Sequence, residues 1–171
     1  VRDARVEEPG ADDPSTLTTL NCLALAYLDA GKVAESIALF KQVLDARTKK
    51  FGDDDPASIT TMNNLAVAYN ATGQMARTVE MYEKLRPATL KVYGPDHPHT
   101  LATLSNLGNA YRGIGQLPRA LETLDQPREA VIKKLGPTHP TSLTVINNLA
   151  LTNHEAGNLP RAIELYEQAR D

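Results

Sequence analysis

The side chains best able to do chemistry are few. His97, His99 and His139 offer imidazole nitrogens, Cys22 is the sole cysteine, and Asp53, Asp54 and Asp55 form a short acidic run. A zinc site wants cysteines alongside, or two histidines at i and i+4 on one helix face; neither pattern occurs. A calcium loop needs further oxygen ligands at fixed offsets, and the Asp53–Asp55 run lacks them, so it reads as a solvated loop and helix cap. Cys22 has no base close in sequence, His154 being the distant candidate. There is no glycine-rich phosphate loop, kinase signature or nucleophile elbow. Neither enzymatic activity nor a metal or other cofactor is expected.

What does recur is the carboxamide. Asn63 and Asn64, Asn106, and Asn147 and Asn148 come back in register, and Asn21 begins the series with Cys22 where later copies hold Asn. Asparagine is a mediocre helix former, so its repetition within helical pattern needs a reason. A carboxamide donates and accepts hydrogen bonds at once, and a row of them can hold a peptide backbone without reading its side chains. The other reading is a hydrogen bond between neighbouring repeats. Both stay open, and one member of each adjacent pair can serve each purpose.

The elements that position this row follow from punctuation. Pro14, Pro56, Pro98 and Pro140 recur every 42 residues, as do Gly31, Gly73, Gly115 and Gly157, and Gly52, Gly94 and Gly136. Between them Leu17, Leu20, Ala24, Tyr27 and Leu28, and then Val33, Ile37, Phe40 and Leu44, follow helical spacing. The prolines suit a first helical turn, where the missing N–H is no loss. Asp13, Asp55, His97 and His139 precede them at the N-cap position, where Asp is the better cap. The first glycine set suits a left-handed helix end, Pro118 and Pro160 open the second helix of the last two units, and the second glycine set closes it. Each unit is thus helix A, a tight turn, helix B and a short loop. Small residues share one register (Ala24, Ala66, Gly108, Ala150), and Tyr27, Tyr69 and Tyr111 share another that Asn153 breaks. Neither helix can bury its apolar face alone, so the units must stack.

These positions give one array over 1–171: the end of a preceding helix B over 1–10, then units over 11–52, 53–94, 95–136 and 137–171, the last cut short. Val1–Gly10 aligns with Val43–Gly52, and Asp171 is in register with Asp45. A fragment of a longer array is expected, with end-to-end self-association through uncapped helices. Aromatics are 5% of the chain, so the core must be built mostly from Leu, Ile, Val and Ala. With a net charge of −3 and no Lys/Arg run, no nucleic-acid partner is expected. No apolar run reaches the roughly 18 residues of a membrane span. One cysteine and no visible secretory signal point to a cytoplasmic protein.

The run Thr61-Met62-Asn63-Asn64-Leu65-Ala66-Val67-Ala68-Tyr69, then Gly73 and Tyr82-Glu83, resembles the tetratricopeptide repeat. The 42-residue spacing and the loop Gly94-Pro95-Asp96-His97-Pro98 resemble its kinesin light chain subclass. The resemblance implies an all-α, right-handed superhelical solenoid of antiparallel helix pairs, with the A helices lining a concave groove for a partner peptide. Carried over position by position, the groove residues are Asn21, Asn63, Asn64, Asn70, Asn106, Asn109, Arg112, Asn147, Asn148 and His154, with Thr18, Leu25, Asp29, Thr60, Val67, Thr144 and Leu151 beside them. The basic clamp by which some members hold a C-terminal carboxylate is replaced by Asn21, Asn63, Ala102 and Thr144, and Arg112 is the one obvious groove cation. Pro87 and Pro127 depart from the family by falling inside helix B, where a kink, an early helix end or a hinge is expected.

A module that binds a partner peptide or protein, as part of a larger adaptor or signalling protein, is the leading reading. A spacer or self-assembly array with an idle groove is the alternative. A third is an intramolecular regulator of an attached catalytic domain, since similar arrays occur fused to kinase or nucleotide-binding domains.

Overall fold

The computed structural model describes residue 10 and residues 12–170, so the expected helix end over 1–10 and the register of Asp171 lie largely outside the described residues. Four A helices, α1 (Pro14–Asp29), α3 (Pro56–Ala71), α5 (Pro98–Gly113) and α7 (Pro140–Glu155), alternate with four B helices, α2 (Val33–Phe51), α4 (Met75–Tyr93), α6 (Leu117–Leu135) and α8 (Leu159–Arg170). Each helix packs on the next along the chain, and α1 also touches α3, as α5 touches α7. The described residues thus form an all-α solenoid of helix pairs.

The helix ends sit where the punctuation puts them. Proline opens every A helix, and the preceding side chain accepts from the exposed amides: Asp13 from Ser15 N, Asp55 from Ala57 N and Ser58 N, His97 Nδ1 from His99 N at 3.2 Å and His139 Nδ1 from Thr141 N at 3.2 Å. Each A helix closes with paired reversed bonds. At α1 these are Gly31 N to Leu28 O (3.0 Å) and Lys32 N to Tyr27 O (2.8 Å), with Gly31 at φ +73° supplying the left-handed residue. The helices α2, α4 and α6 end on glycines of another kind. Gly52 lies at φ 88°, ψ 170°, a region open essentially to glycine alone.

Packing explains the small-residue register. Ser36 Oγ donates to the Ala24 carbonyl at 2.7 Å across α1 and α2, which brings the two backbones close. At Gly108 the approach is tighter, since a Cβ there would lie 2.4 Å from Leu124 Cγ. Phe40 from α2 is fully buried among Ala24, Leu65, Ala68 and Tyr69, so it ties α1 to α3.

One expectation is amended, and one register gains a role. Pro87 and Pro127 end nothing: α4 and α6 run through them as helices of 19 residues, the same length as α2. Around Pro87 the helix is fixed by buried Leu85, Ala88 and Thr89, so tertiary packing overrides the local break. The tyrosine register, for its part, is a cation stack: Arg77 lies over Tyr69 and Arg119 over Tyr111, the latter 4.2 Å from the ring centroid. Where Asn153 replaces the tyrosine, its amide bonds Leu149 O and Asn158 instead.

Candidate functional site

On the A helices one exposed or half-buried stripe repeats with i, i+4, i+7 spacing: Thr18, Cys22 and Leu25 on α1; Thr60, Asn64 and Val67 on α3; Ala102, Asn106 and Asn109 on α5; Thr144, Asn148 and Leu151 on α7. The residues form a continuous face because every A helix starts on the same cap and so presents the same turn at the same height.

The two asparagine registers separate on this face. Asn21 is only 8% exposed, and its Oδ1 accepts from Thr61 Oγ1 at 3.3 Å on the next A helix. It is a joint between repeats, and it leaves the set of residues expected to face a ligand. Asn63 lies in that register half-buried, and Asn147 is exposed. The register of Asn64, Asn106 and Asn148 stays on the stripe, half-buried at all three positions. Among the described residues no protein group hydrogen-bonds the side-chain amides of Asn64 and Asn148. At Asn106 the phenol of Tyr82 in α4 is near enough for the amide to lower the Tyr82 pKa against the effect of burial. The equivalent residues under Asn64 and Asn148 are Phe40 and Leu124, which have nothing to offer.

Further along the stripe, Asn109 Oδ1 and Arg112 Nε are buried with no hydrogen-bond partner among the described residues. Arg112, expected as a groove cation, is already ion-paired with Glu155 of α7 at 2.8 Å. Asn70 and His154, which share its register, are exposed. The histidines singled out at first serve the loops: His97 stacks on Tyr93 (4.7 Å) and on His99 (5.3 Å), which also lie 5.2 Å from each other, while capping α5. Among the described residues no group of three His, Cys, Asp or Glu side chains is placed to hold a metal ion, and no helix is long and apolar enough to cross a membrane.

The stripe is notched where a B-helix side chain forms the floor between two A helices. Between α5 and α7 that floor is Val131, and a cleft of about 360 Å³ opens above it, lined by Leu101, Ala102, Asn106, Leu135, Thr144 and Val145 among others. Between α1 and α3 the corresponding residue is Arg47, only 5% exposed, which fills the space with its guanidinium. Arg47 donates from Nη1 to Ala57 O (2.8 Å) and Thr61 Oγ1 (2.7 Å), and from Nη2 to Thr18 Oγ1 (3.2 Å). Reading the sequence by A-helix positions missed this residue, because it lies on a B helix and reaches the A layer from behind. The signal was present as a charged residue at a core register that holds Thr89 and Val131 in the later copies.

Two phenols make the packing pH-sensitive. Burial pushes Tyr82 up to about 12, against the pull of Asn106, and burial together with the Glu83 carboxylate pushes Tyr111 up to about 12. A folded-state value above the unfolded one favours the neutral phenol, so this stability is complete below about pH 10 and is lost as pH rises through about 12. Thermal melts between pH 9 and 12 are expected to fall steeply. Tyr82→Phe flattens that fall if the assignment is right and leaves it unchanged if it is not.

The comparisons with known proteins agree with this geometry. Tetratricopeptide repeat profiles match residues 15–86, 61–129 and 142–171. No curated protein sequence matches the chain. Among solved structures, a candidate kinesin light chain of Podosopora anserina with nearly identical TPR-like repeats is 32% identical, with a TM-score of 0.85 over 98% of this chain and 78% of that one. A singly substituted form of that protein is 33% identical, with a TM-score of 0.86 over 94% of this chain and 76% of that one. BtubC (BKLC) from P. vanneervenii shares the fold at 16% identity, with a TM-score of 0.85 over 98% of this chain and 65% of that one. Repeat length, cap chemistry, glycine geometry and these likenesses lead to one assignment: the chain belongs to the tetratricopeptide repeat family, in its kinesin light chain-like branch.

Proposed function

We propose that this protein-interaction module holds an extended segment of a partner protein along the A-helix stripe, as part of an adaptor or signalling protein. The observation that carries the reading is the row of half-buried amides at Asn64, Asn106 and Asn148, of which Asn64 and Asn148 have no side-chain hydrogen-bond partner among the described residues. These amides stay open to solvent, and a peptide backbone offers both the donors and the acceptors that can take the place of that water. The apolar notch over Val131 beside Asn106 adds a place for one apolar side chain of that segment.

A peptide-display selection on the 171-residue chain, run beside an Asn64→Ala, Asn106→Ala, Asn148→Ala variant, tests the reading. Peptides are expected to enrich on the parent and to lose at least about tenfold in affinity on the variant, since each lost amide contact is worth about 1 kcal/mol. Circular dichroism checks that the variant keeps its helices. Enrichment that survives the triple substitution removes these amides from the site. No enrichment on either chain favours the spacer or the intramolecular regulator.

A further inference from the structure

The repeats join one another through positions that recur, and at the two ends of the array the same positions lie open. At each interior joint a large B-helix side chain shares a buried cluster with a leucine of the following A helix: Phe40 with Leu65, Tyr82 with Leu107 and Leu124 with Leu149. The next pair in the 42-residue register is Tyr166 of α8 and Leu23 of α1, and these are 41% and 42% exposed. With Leu159 and Ile163, Tyr166 makes an exposed apolar face on α8 at i, i+4, i+7 spacing. On α1, Ala26 is exposed beside Leu23, although its equivalents Ala68 and Ala110 are buried.

The polar contacts between repeats leave matching halves at the two ends. Thr61 Oγ1 donates to Asn21 Oδ1 between α3 and α1 at 3.3 Å, Arg112 pairs with Glu155 between α5 and α7 at 2.8 Å, and the Tyr111 hydroxyl donates to Glu83 of α4 at 2.5 Å. Advanced by whole repeats, these pairs become Asn147 with Thr19, His154 with Asp29, and Glu167 with Tyr27. Each keeps its chemistry: amide with hydroxyl, base with carboxylate, carboxylate with phenol. All six are exposed except Tyr27, which is half-buried with Lys32 over its ring. Glu35 stands where Arg119 bridges to Glu83, so Lys32 is the cation at that corner. One half of every pair lies on α7 or α8 and the other on α1, so the fit is head to tail and not two-fold.

We propose that a second copy of this chain docks on the α7–α8 end through its own α1, in the place that α3, α5 and α7 take on the helices before them. Tyr166 packs on the second copy's Leu23, as Phe40 shares its cluster with Leu65 inside the chain. The occupant is a copy of this chain because its α1 carries the apolar and polar partners that the interior joints already use. The two faces differ, so each added copy presents a fresh α8 and the association does not close at a dimer. The joint lies at the ends of the array and forms whether or not a peptide fills the stripe.

Sedimentation velocity on the 171-residue chain, from micromolar to near-millimolar concentration, is the test. The parent is expected to give species that grow past the dimer. Leu23→Glu and Tyr166→Glu change exposed side chains at opposite ends, so both should keep their helices by circular dichroism. Each alone should weaken association by at least about tenfold, because it places an unpaired charge in the joint. Mixed together, the two variants should recover a single joint, between the intact α8 of one and the intact α1 of the other, and stop at a dimer. His154→Arg, which remakes the kind of pair seen at Arg112 and Glu155, should tighten association by about two- to fivefold. A parent that stays monomeric throughout overturns the proposal and leaves the α8 face to a different protein. Association that survives Leu23→Glu but not Tyr166→Glu overturns it in favour of a two-fold contact through α8.

Discussion

Phe40→Ala is expected to destabilise the chain by about 3–5 kcal/mol and to lower its melting temperature by roughly 10 °C. The size of the effect comes from where the ring sits. Phe40 belongs to α2 but is fully buried between α1 and α3, against Ala24, Leu65, Ala68 and Tyr69. Those neighbours are held by their own helices, so they cannot collapse into the space the ring leaves, and the cavity adds to the lost transfer energy. A repeat array is stabilised by nearest-neighbour interfaces, so the loss should fall on the first two repeats. Hydrogen exchange should show α1 and α2 opening before α5 to α8. The notch that holds Arg47 lies between the same two A helices, so the variant should also lose peptides that depend on that end of the stripe. A melting temperature within about 2 °C of the parent would sink the account, because it would mean α1 and α3 are held together by something other than this ring.

The positions of the helices were legible from three sets of evenly spaced residues because each set answers a backbone demand that no tertiary contact can remove. Gly52 must be glycine at φ 88° and ψ 170°, and Pro56 fits only a first turn. The division of labour among the asparagines was less legible. Asn63 and Asn64 are neighbours of the same type and both are half-buried, so neither type nor spacing says which register supplies a bond between repeats, as Asn21 does, and which stays on the stripe. Asn21 shows the limit most clearly: its spacing matches the row, yet it is buried and bonded to Thr61. Arg47 was missed for the opposite reason. Its helix supplies the rear layer, and nothing in a helical period says that a long side chain will cross from that layer to the front. The cleft over Val131 was equally hidden, since the same register holds a valine there and, two repeats earlier, an arginine whose guanidinium bonds across to the A helices.

The second large effect runs in the stabilising direction. Pro87→Ala is expected to raise the melting temperature by roughly 5–10 °C, from a gain of about 2–3 kcal/mol, while Pro127→Ala should change it much less. Both prolines lie inside 19-residue helices that continue past them, and both remove a backbone donor, to the Glu83 carbonyl in one case and the Thr123 carbonyl in the other. The backbone term is therefore the same for the two, and burial decides the difference. The ring of Pro87 is exposed, so removing it sacrifices little packing. Pro127 is buried on the same face of α6 as Leu124 and Val131, and taking away its ring opens a void that offsets the restored hydrogen bond. Thermal melts of the two single variants separate the accounts. Equal large gains would mean that the Pro127 ring contributes no packing. An unchanged melting temperature for Pro87→Ala would mean that α4 already relaxes around the missing bond. The helix would then be bent at that point in a way that a straight replacement does not improve, and the solenoid's curvature between the second and third repeats would depend on the proline itself.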